Sequence, residues 1–339
     1  MNKLYDVIVY IGRYQPFHNG HAKIIQDISR LAKKTVVIVG SKSNPVTVKN
    51  PFSFQERKTM IQHSVHVQYL DIEGVEDYTY DDYKWINEIT EIVSNASAFT
   101  KKINPSIAIA GYNKDESSSY LKYFPQWDLI DQSAYKEYGD LVNATDIRKE
   151  WLSGKTYHIK PVLPPFVFDF ILSIAGDRLA YLIKEYAGII ATQETYGLGN
   201  FITTDAIVVQ SGHVLLIKRK ESGIDLWAMA GGFLDTEETL EQGVIRELKE
   251  ETKLKVPEKV LLGSIKEVKI FDKVDRDLRG RIITQVYLFK LDDNLDLPKV
   301  KGNDDAKEAK WIPIGDFYNM RSVMYADHFH IVEKMLESL

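Results

Sequence analysis

Three glutamates in the second half of the chain have the spacing of one helix face. Glu247, Glu250 and Glu251 stand at positions i, i+3 and i+4, which brings their carboxylates together on a helix. Carboxylates this close raise one another's pKa and repel each other unless a strong positive charge lies between them. Because Mg²⁺ and Mn²⁺ prefer oxygen ligands, the spacing predicts a divalent-metal site.

The residues around these glutamates predict the helix that the site requires. Asp235 is expected to cap the helix, with Glu238 three residues inside it. The apolar stripe that would seat the helix on a core consists of Leu240, Val244 and Leu248. The alternative is an exposed helix whose glutamates pair with Lys249 and Lys253.

The order of these residues resembles the signature of the Nudix hydrolase family. From Gly232 the chain runs five residues to Glu238, and then seven residues to a final block. That block reads Arg246-Glu247-Leu248-x-Glu250-Glu251-x-x-Leu254. Agreement at so many fixed positions favours the metal site over the exposed helix.

Two positions depart from the signature, and neither is a metal ligand in the family. Lys253 stands where the family has Gly after the paired glutamates, and Ala230 stands where Pro often precedes the glycine pair. The resemblance implies Mg²⁺ or Mn²⁺ held by the three glutamates, with the backbone carbonyl of Gly231 as a further ligand. Such a metal would activate water against a pyrophosphate bond.

A second group of candidate residues lies in the first half, in the loop GRYQPFHNGH at residues 12–21. Arg13, His18 and His21 surround the predicted start of a helix, whose N–H groups and dipole favour an anion. Two histidines three residues apart could instead bind a metal, or one could be a satisfied structural histidine. The loop resembles the His-x-Gly-His motif of the nucleotidyltransferase superfamily, in which the histidines steady the phosphates of a nucleoside triphosphate.

Further motifs resemble those of the nicotinamide mononucleotide adenylyltransferases. They are NPFSFQERKTMI at residues 50–61 and NATDIRKEW at residues 143–151. The resemblance implies that Arg148 holds the triphosphate and that Arg13 and Arg57 handle phosphate, work that suits planar guanidinium forks. Asn143 replaces the Ser of the family's phosphate contact, next to Thr145 at a predicted helix start. Together with the histidines, these residues would position the phosphates and neutralise their charge.

An aromatic segment supplies a candidate for base recognition. It reads DYTYDDYKWINEI at residues 77–89. In the adenylyltransferase family a tryptophan at this place stacks on the nicotinamide ring, and the resemblance assigns that role to Trp85. The alternative is a core tryptophan on an amphipathic helix. GYNKDESSSYLKYFPQW, at residues 111–127, closely resembles bacterial enzymes that fuse this transferase to a Nudix domain, and the resemblance covers essentially the whole chain.

The fold expected of the first half follows from three apolar runs that end in glycine. They are YDVIVYIG at 5–12, TVVIVG at 35–40 and SIAIAG at 106–111, and they predict buried parallel strands. A helical pattern between the first two predicts a βαβ unit. Because ligands bind beyond the carboxyl ends of such strands, Gly12, Gly40 and Gly111 are expected to let a ligand approach the backbone.

The length of 339 residues suits two domains, each with its own core. We expect an α/β protein that begins with a Rossmann-like nucleotidyltransferase domain, with a parallel sheet, over residues 1–190. A polar linker at 191–200 and an α+β Nudix domain over 201–339 follow. Two helices from residue 161 are expected to end the first domain, and TTDAIVVQSGHVLLIKRK predicts a hairpin early in the second.

The charge and the cysteine content limit the classes of partner and the chemistry that are expected. The chain has 43 basic and 48 acidic residues, a net charge of −5 and no basic run, which gives no footprint for nucleic acid or an anionic membrane. It has no cysteine, which excludes disulfides and thiolate chemistry. Because it shows no signal peptide and no run long enough to span a bilayer, we expect a cytoplasmic protein.

These patterns together predict a bifunctional enzyme of nicotinamide nucleotide metabolism. The first site would transfer an adenylyl group from ATP to nicotinamide mononucleotide, giving NAD and pyrophosphate. The segment FDKVDRDLRGRIITQVYLF at residues 271–289 resembles ADP-ribose pyrophosphatases, so the second site would hydrolyse ADP-ribose to AMP and ribose 5-phosphate. Arg276 and Arg279, with Arg281, are candidates to meet the diphosphate or the terminal ribose, although loop arginines are also commonly solvated.

Other functions stay open at this point. The Nudix half could be a non-catalytic module that senses a nucleotide, or it could hydrolyse another nucleoside diphosphate derivative. The first half could be another adenylyltransferase of the His-x-Gly-His class, such as one that uses pantetheine phosphate. A homodimer is also left open.

Overall fold

The computed structural model of the protein describes residues 4–111, 116–131, 143–197, 199–220, 224–293 and 295–339. Residues 112–115, part of the segment that carried the resemblance to fused enzymes, therefore lie outside the described residues. The chain divides into two units, Met1–Gly176 and Asp177–Leu339, and each unit contains its own sheet.

The first unit is built on a five-stranded parallel sheet. Its strands are β1 (Tyr5–Gly12), β2 (Ala32–Val39), β3 (Leu70–Gly74), β4 (Ile107–Gly111) and β5 (Asp128–Asp131). Their order across the sheet is β3-β2-β1-β4-β5, and every pairing is parallel. The central strands are apolar along almost their whole length because both faces of the sheet are covered. The prediction of an α/β unit with a parallel sheet is confirmed.

Helices connect these strands and follow them. They are α1 (Asn19–Ser29), α2 (Phe54–Ser64), α3 (Asp82–Ser97), α4 (Ala144–Leu152), α5 (Thr156–Ile159) and α6 (Pro165–Ser173). The predicted βαβ unit is β1-α1-β2. Its helix is shorter than the pattern indicated, because Ala32 already pairs with Tyr5 in the sheet.

Two glycines at the strand ends are packed against the protein's own side chains. A Cβ atom on Gly12 would lie 2.9 Å from the ring of Tyr14, and one on Gly111 would lie 2.6 Å from Leu121. Gly40 has more room, with its nearest neighbour at 3.6 Å. At Gly12 and Gly111, therefore, the space that the sequence analysis gave to a ligand is filled by Tyr14 and Leu121, and their part in substrate binding stays a prediction.

The second unit contains a mixed seven-stranded sheet. Its strands are β6 (Asn200–Gln210), β7 (His213–Arg219), β8 (Trp227–Ala228), β9 (Ala230–Phe233), β10 (Ile265–Phe271), β11 (Arg281–Lys290) and β12 (Ala306–Pro313). The main order is β10-β11-β6-β7-β12, while β8 pairs with β7 and β9 pairs with β6. The β6–β7 hairpin is the one predicted from sequence, and it turns through Ser211 and Gly212, both with positive φ.

The helices of the second unit are α7 (Gly176–Tyr196), α8 (Leu240–Thr252), α9 (Glu258–Gly263), α10 (Ile314–Phe317) and α11 (His328–Leu336). Val244 and Leu248 of α8 are fully buried against the sheet, with Leu240 partly buried beside them. The predicted apolar stripe is therefore confirmed. In the part of the chain that the structure describes, no helix has the length and apolar character needed to cross a membrane.

Helix α7 differs from the sequence prediction in its extent and its grouping. The two helices expected from residue 161 are present, but the second continues to Tyr196, through residues that were assigned to a polar linker. It groups with the second unit. There it buries Tyr181 and Leu182, and Gln193 donates a hydrogen bond to the carbonyl of Leu278. The functional domain limits, 1–190 and 201–339, stay predictions.

Helix α8 begins at a different cap from the one predicted. Thr239 accepts a hydrogen bond from the N–H of Gln242 at 3.3 Å, and the Gln242 side chain accepts one from the N–H of Thr239 at 2.8 Å. The predicted cap, Asp235, lies before the helix, where its N–H donates to Glu238. The sequence DTEETLEQ, residues 235–242, offers two caps in tandem, and the second one satisfies the helix start.

The end of α8 explains the residue that departs from the Nudix signature. Lys253 adopts the left-handed conformation, with φ 53° and ψ 26°, and its N–H donates to the carbonyl of Lys249 at 3.0 Å. Glycine adopts this conformation without a steric penalty, whereas a side chain destabilises it. The turn that the family makes with Gly is thus preserved here with a strained lysine.

We predict that Lys253→Gly stabilises the second unit by about 1 kcal/mol, because it relieves the left-handed strain. The measurement is the free energy of unfolding in urea. Hydrogen exchange of the amides of β6 and β11 reports the unfolding of the second unit. Lys255→Gly is the matched control, since it removes a neighbouring exposed lysine whose φ is negative. Equal stability changes in the two variants would contradict the account of Lys253.

Candidate active sites

His18 and His21, the two histidines of the loop at residues 12–21, are hydrogen-bonded to each other at the start of α1. Nδ1 of His18 accepts a hydrogen bond from the N–H of His21 at 3.4 Å, and the N–H of His18 donates to Nδ1 of His21 at 3.3 Å. The rings stack with centroids 3.5 Å apart. Because both Nδ1 atoms act as acceptors, each neutral ring carries its proton on Nε2. Both histidines can therefore donate a hydrogen bond from Nε2.

Burial disfavours the charged form of both imidazoles. Burial lowers the pKa of His18 to about 3, and burial together with His18 lowers the pKa of His21 well below its ordinary value. The rings of Tyr14 and Phe17 lie 4.8 and 5.6 Å from that of His21. As the structure places them, both rings can donate a hydrogen bond from Nε2, and the expected neutralisation of phosphate charge stays a prediction.

Arg57 holds the backbone of the site together. Its side chain is fully buried and donates to the carbonyls of Arg13 at 2.7 Å, Gly40 at 2.6 Å, Ser41 at 2.8 Å and Ser53 at 3.2 Å. These carbonyls lie just after β1, just after β2 and at the cap of α2. The N–H groups of Arg57 thus bind the protein's own backbone, and its expected contact with phosphate stays a prediction.

Arg148 and Arg13 complete a group of positive charges. Arg148 is nearly buried, and it donates to the carbonyl of Gln15 at 2.6 Å and to Oγ1 of Thr145 at 3.1 Å. Burial, with the nearby charge of exposed Arg13, lowers the pKa of Arg148 to about 10. Burial also lowers the pKa of Arg57 to about 10, and Arg13 again contributes. An anion placed among these guanidinium groups would relieve their repulsion.

The predicted helix start at Asn143 is confirmed as a cap. The side-chain oxygen of Asn143 accepts a hydrogen bond from the N–H of Thr145 at 2.8 Å, and α4 follows. Thr145 in turn accepts from Arg148. Asn143 and Thr145 therefore fix the position of Arg148, and their own contacts with phosphate stay predictions.

Trp85 lies at the border of an aromatic cluster and is partly exposed. Its ring centroid is 6.1 Å from that of Tyr120, 6.5 Å from Tyr123 and 6.0 Å from Phe124. Phe124 stacks on Trp127 at 4.5 Å. Because Trp85 is at the edge of the cluster rather than inside it, its ring is accessible, and stacking on a base stays a prediction.

In the second unit, Arg246 organises the carboxylates around α8. It donates to Glu238 at 2.6 and 3.0 Å, to Glu247 at 2.8 Å and to Glu250 at 3.1 Å. Arg246 belongs to the Nudix signature, but the sequence alone indicated no role for it. The sequence signal for such a role was the position of Arg246 just before Glu247, Glu250 and Glu251. Glu247 and Glu250 thus pair with this arginine, and not with the lysines of the exposed-helix alternative.

Glu251 is the buried carboxylate of the site. It is 4% exposed, and it accepts a hydrogen bond from the N–H of Gly231 at 2.9 Å. Burial raises the pKa of Glu251 to about 8, and the charges of Glu247 and Asp205 also raise it. Burial raises the pKa of Glu247 as well. The site thus gathers acidic groups that a cation would stabilise.

The glycine pair fits tightly against these acids. A Cβ atom on Gly231 would lie 2.4 Å from Oδ1 of Asp205, and one on Gly232 would lie 2.4 Å from Oε1 of Glu247. Asp205 is buried on β6 and accepts a hydrogen bond from Thr284 at 2.5 Å. The sequence analysis missed Asp205, although an acidic residue inside the apolar strand pattern TTDAIVV is itself a signal.

The donor set suits a hard divalent cation. Carboxylate and carbonyl oxygens are the ligands that Mg²⁺ and Mn²⁺ prefer, and Glu251, Glu247 and the carbonyl of Gly231 are the candidates to hold one. Within the described ranges, no three His, Cys, Asp or Glu side chains form a group that could hold a metal, so a metal site at Glu247, Glu250 and Glu251 stays a prediction. Arg246 draws Glu247 and Glu250 toward itself, while Glu251 turns to Gly231.

The three loop arginines are bound to acidic residues and backbone. Arg276 makes a bidentate pair with Asp327 at 2.9 and 3.0 Å, with both side chains buried. Its expected contact with substrate stays a prediction. Arg279 pairs with Asp277 at 2.8 Å and lies 5.4 Å from the centre of the Phe233 ring, and its contact with substrate stays a prediction. Arg281 donates to the carbonyl of residue 272.

Comparisons with known proteins match each half of the chain to a family. The cytidylyltransferase-like family model matches residues 9–131, and the NUDIX domain model matches residues 200–335. The nicotinamide/nicotinic acid mononucleotide adenylyltransferase of Acinetobacter baylyi is 31% identical over 181 residues, which are 52% of this chain and 89% of that protein. The ADP-ribose pyrophosphatase of Methanocaldococcus jannaschii is 35% identical over 133 residues, 39% of this chain and 70% of that protein.

One solved structure matches both halves together. It is a bifunctional NMN adenylyltransferase/ADP ribose pyrophosphatase from Francisella tularensis, solved with AMP and a manganese ion. The two chains are 35% identical and superpose with a TM-score of 0.88, over 98% of this chain and 99% of the other. The chain belongs to the family of bifunctional NMN adenylyltransferase/ADP-ribose pyrophosphatase proteins, with a cytidylyltransferase-like domain followed by a Nudix domain.

Proposed function

We propose that the chain makes NAD from ATP and nicotinamide mononucleotide in its first unit and hydrolyses ADP-ribose in its second. The observation that carries the proposal is the full-length match to the Francisella enzyme, which is named for both activities and covers 98% of this chain. The two charged sites support it, since one gathers guanidinium groups and the other gathers carboxylates. Cytoplasmic location and a homodimer stay predictions from sequence.

Adenylyl transfer requires that two phosphate groups be held in line. The 5′-phosphate of the mononucleotide attacks the α-phosphorus of ATP, and pyrophosphate leaves with the electrons of the broken P–O bond. His18 and His21 would donate hydrogen bonds from Nε2 to phosphate oxygens, while Arg13 and Arg148 would supply positive charge. Arg57 would keep the loops after β1 and β2 in place. The reaction needs no nucleophilic side chain.

Hydrolysis in the second unit joins water to the diphosphate of ADP-ribose and yields AMP and ribose 5-phosphate. Bound Mg²⁺ or Mn²⁺ would supply a nucleophile by lowering the pKa of a coordinated water. Glu247, Glu251 and the carbonyl of Gly231 would hold the ion, with half-buried Glu250 as a further ligand. Arg246 would keep the remaining carboxylates in place, and Arg279 would face the anionic substrate.

We predict that His18→Asn lowers adenylyl transfer by about two orders of magnitude and leaves ADP-ribose hydrolysis unchanged. Asparagine retains the helix cap but lacks the Nε2 donor. A loss of activity in a folded variant would therefore come from lost phosphate binding, and not from a less stable helix. Steady-state kinetics of NAD formation and a thermal melt provide the measurement. His66→Asn, at an exposed histidine outside the site, is the control. Near wild-type transfer in a folded His18→Asn enzyme would refute the donor role.

Trp85→Ala should raise the Michaelis constant for the mononucleotide by roughly 5- to 150-fold, because stacking on a base contributes about 1–3 kcal/mol. The constant for ATP should change much less. Trp127→Ala is the matched control: it removes an indole from the same cluster, so it should lower the melting temperature without that selectivity. Equal changes in both Michaelis constants for Trp85→Ala would show that Trp85 is a packing residue.

Glu251→Gln should abolish ADP-ribose hydrolysis and leave NAD synthesis intact, because a neutral side chain weakens the hold on the ion that activates water. Product analysis with Mg²⁺ or Mn²⁺ is the measurement. If the enzyme hydrolyses another nucleoside diphosphate derivative and leaves ADP-ribose intact, the proposed substrate is wrong, but the proposed type of reaction is correct. If the wild-type chain hydrolyses none of them, the sensing alternative is correct.

The raised pKa of Glu251 also predicts how the second unit responds to pH without metal. The folded state retains a proton that the unfolded state loses, so stability falls as pH rises from about 4.5 to about 8. The slope is at most about 1.4 kcal/mol per pH unit. Glu251→Gln, which cannot ionise, should flatten this dependence and be more stable than wild type at pH 8 in EDTA. A wild-type slope in the variant would contradict the assignment.

A further inference from the structure

The segment that carries the glycine pair changes its strand partner at Met229. Before this residue β8 pairs with β7, and after it β9 pairs with β6 from Ala230 onward. Met229 is buried, and its N–H donates to Nδ1 of His328 at 3.1 Å. An imidazole from α11 thus accepts the hydrogen bond at the point where the segment passes from one strand to the other. Left unpaired, a buried N–H of this kind destabilises a fold.

This hydrogen bond lies two residues from the acidic site. The N–H of Gly231 holds Glu251 at 2.9 Å, and the space beside Gly232 is filled by the carboxylate of Glu247. Because these atoms are in close contact, a small displacement of the backbone after Met229 would move it relative to both carboxylates. The position of the glycine pair therefore depends on what holds Met229.

The imidazole of His328 is itself fixed by its neighbours. Asp327, the preceding residue, forms the buried bidentate pair with Arg276 at 2.9 and 3.0 Å. Tyr325 donates its N–H to the carbonyl of Trp227 at 2.7 Å, and its ring meets that of His328 edge-on at 5.5 Å. The start of α11 is thus tied to the loop after β10 and to β8. A ring held in this way can fix a backbone position.

We propose that His328 is a positioning residue of the hydrolytic site. By accepting the N–H of Met229, it sets the glycine pair against Glu247 and Glu251 and thereby sets the affinity for the divalent cation. The proposal rests on the proposed function of the second unit. His328 takes no part in proton transfer, since its role requires only the acceptor at Nδ1. Groups that support metal ligands in this way change metal affinity by about 10- to 100-fold.

His328→Asn and His328→Gln in the full chain form the test pair. The side-chain oxygen of Asn reaches about the position of Nδ1, whereas that of Gln extends further, toward the position of Nε2. Mn²⁺ affinity is measured by electron paramagnetic resonance of the free ion, and amide exchange of Met229 by NMR. The Asn variant should bind Mn²⁺ within about twofold of wild type. The Gln variant should bind about tenfold more weakly and exchange the Met229 amide faster.

Three further results test the positioning role of His328. Wild-type Mn²⁺ affinity in His328→Gln, or an equal loss of affinity in both variants, would overturn the role of His328. Unchanged adenylyl transfer and unchanged exchange of the α8 amides show that a weaker affinity is not caused by unfolding. Glu251→Gln is the reference: if it too binds Mn²⁺ like wild type, the proposed function of the second unit fails, and not the positioning role alone.

Discussion

Buried charge of one sign is the constraint on which both units depend. In the first unit, Arg57 and Arg148 are buried near Arg13, and burial lowers the pKa of both buried guanidinium groups to about 10. In the second unit, Glu251 is buried near Glu247 and Asp205, and its pKa rises to about 8. Removing a charge from water costs several kcal/mol unless an opposite charge or hydrogen bonds replace the solvent. Each site is therefore arranged for a ligand of the opposite sign.

Reciprocal helix caps hold these charged groups in place. His18 and His21 cap α1 with their own side chains, and Ser53 with Glu56 caps α2, one turn before Arg57. The same arrangement at Thr239 starts α8, which carries the glutamates. A capped helix start is fixed by local hydrogen bonds, so the groups next to it are positioned before any ligand binds. In α1 the capping residues, His18 and His21, are also the side chains that we propose donate hydrogen bonds to phosphate. The same two residues therefore start the helix and bind the ligand.

Much of the fold could be predicted from sequence because its signals are local. The apolar runs ending in glycine predicted the parallel strands, and the spacing of Leu240, Val244 and Leu248 predicted the buried face of α8. The glutamate spacing likewise predicted an acidic site, since i, i+3 and i+4 lie together on any helix. Asp235 shows the limit of such signals, because two capping sequences follow each other and the helix begins at the second, Thr239.

The arginines show what a sequence cannot reveal. Arg57 was expected to handle phosphate, and Arg276 to meet the diphosphate or the terminal ribose. The structure adds partners that the sequence did not indicate: four backbone carbonyls for Arg57, and for Arg276 a carboxylate 51 positions away. Whether a guanidinium binds a ligand or its own protein depends on such distant partners. Asp205 was missed for the same reason: its neighbours in the site come from β9, α8 and β11.

Hydrogen exchange of the full chain with each ligand alone tests the central claim most directly. Pyrophosphate in EDTA should protect residues 12–21 and α4 and leave the second unit unchanged, because it supplies negative charge to the guanidinium groups. Mn²⁺ alone should protect β9 and α8 and leave the first unit unchanged, because it supplies positive charge to Glu251. At about ten times the dissociation constant the protection should approach tenfold. Protection of the same unit by both ligands, or absence of protection of α8 by Mn²⁺, would contradict the account.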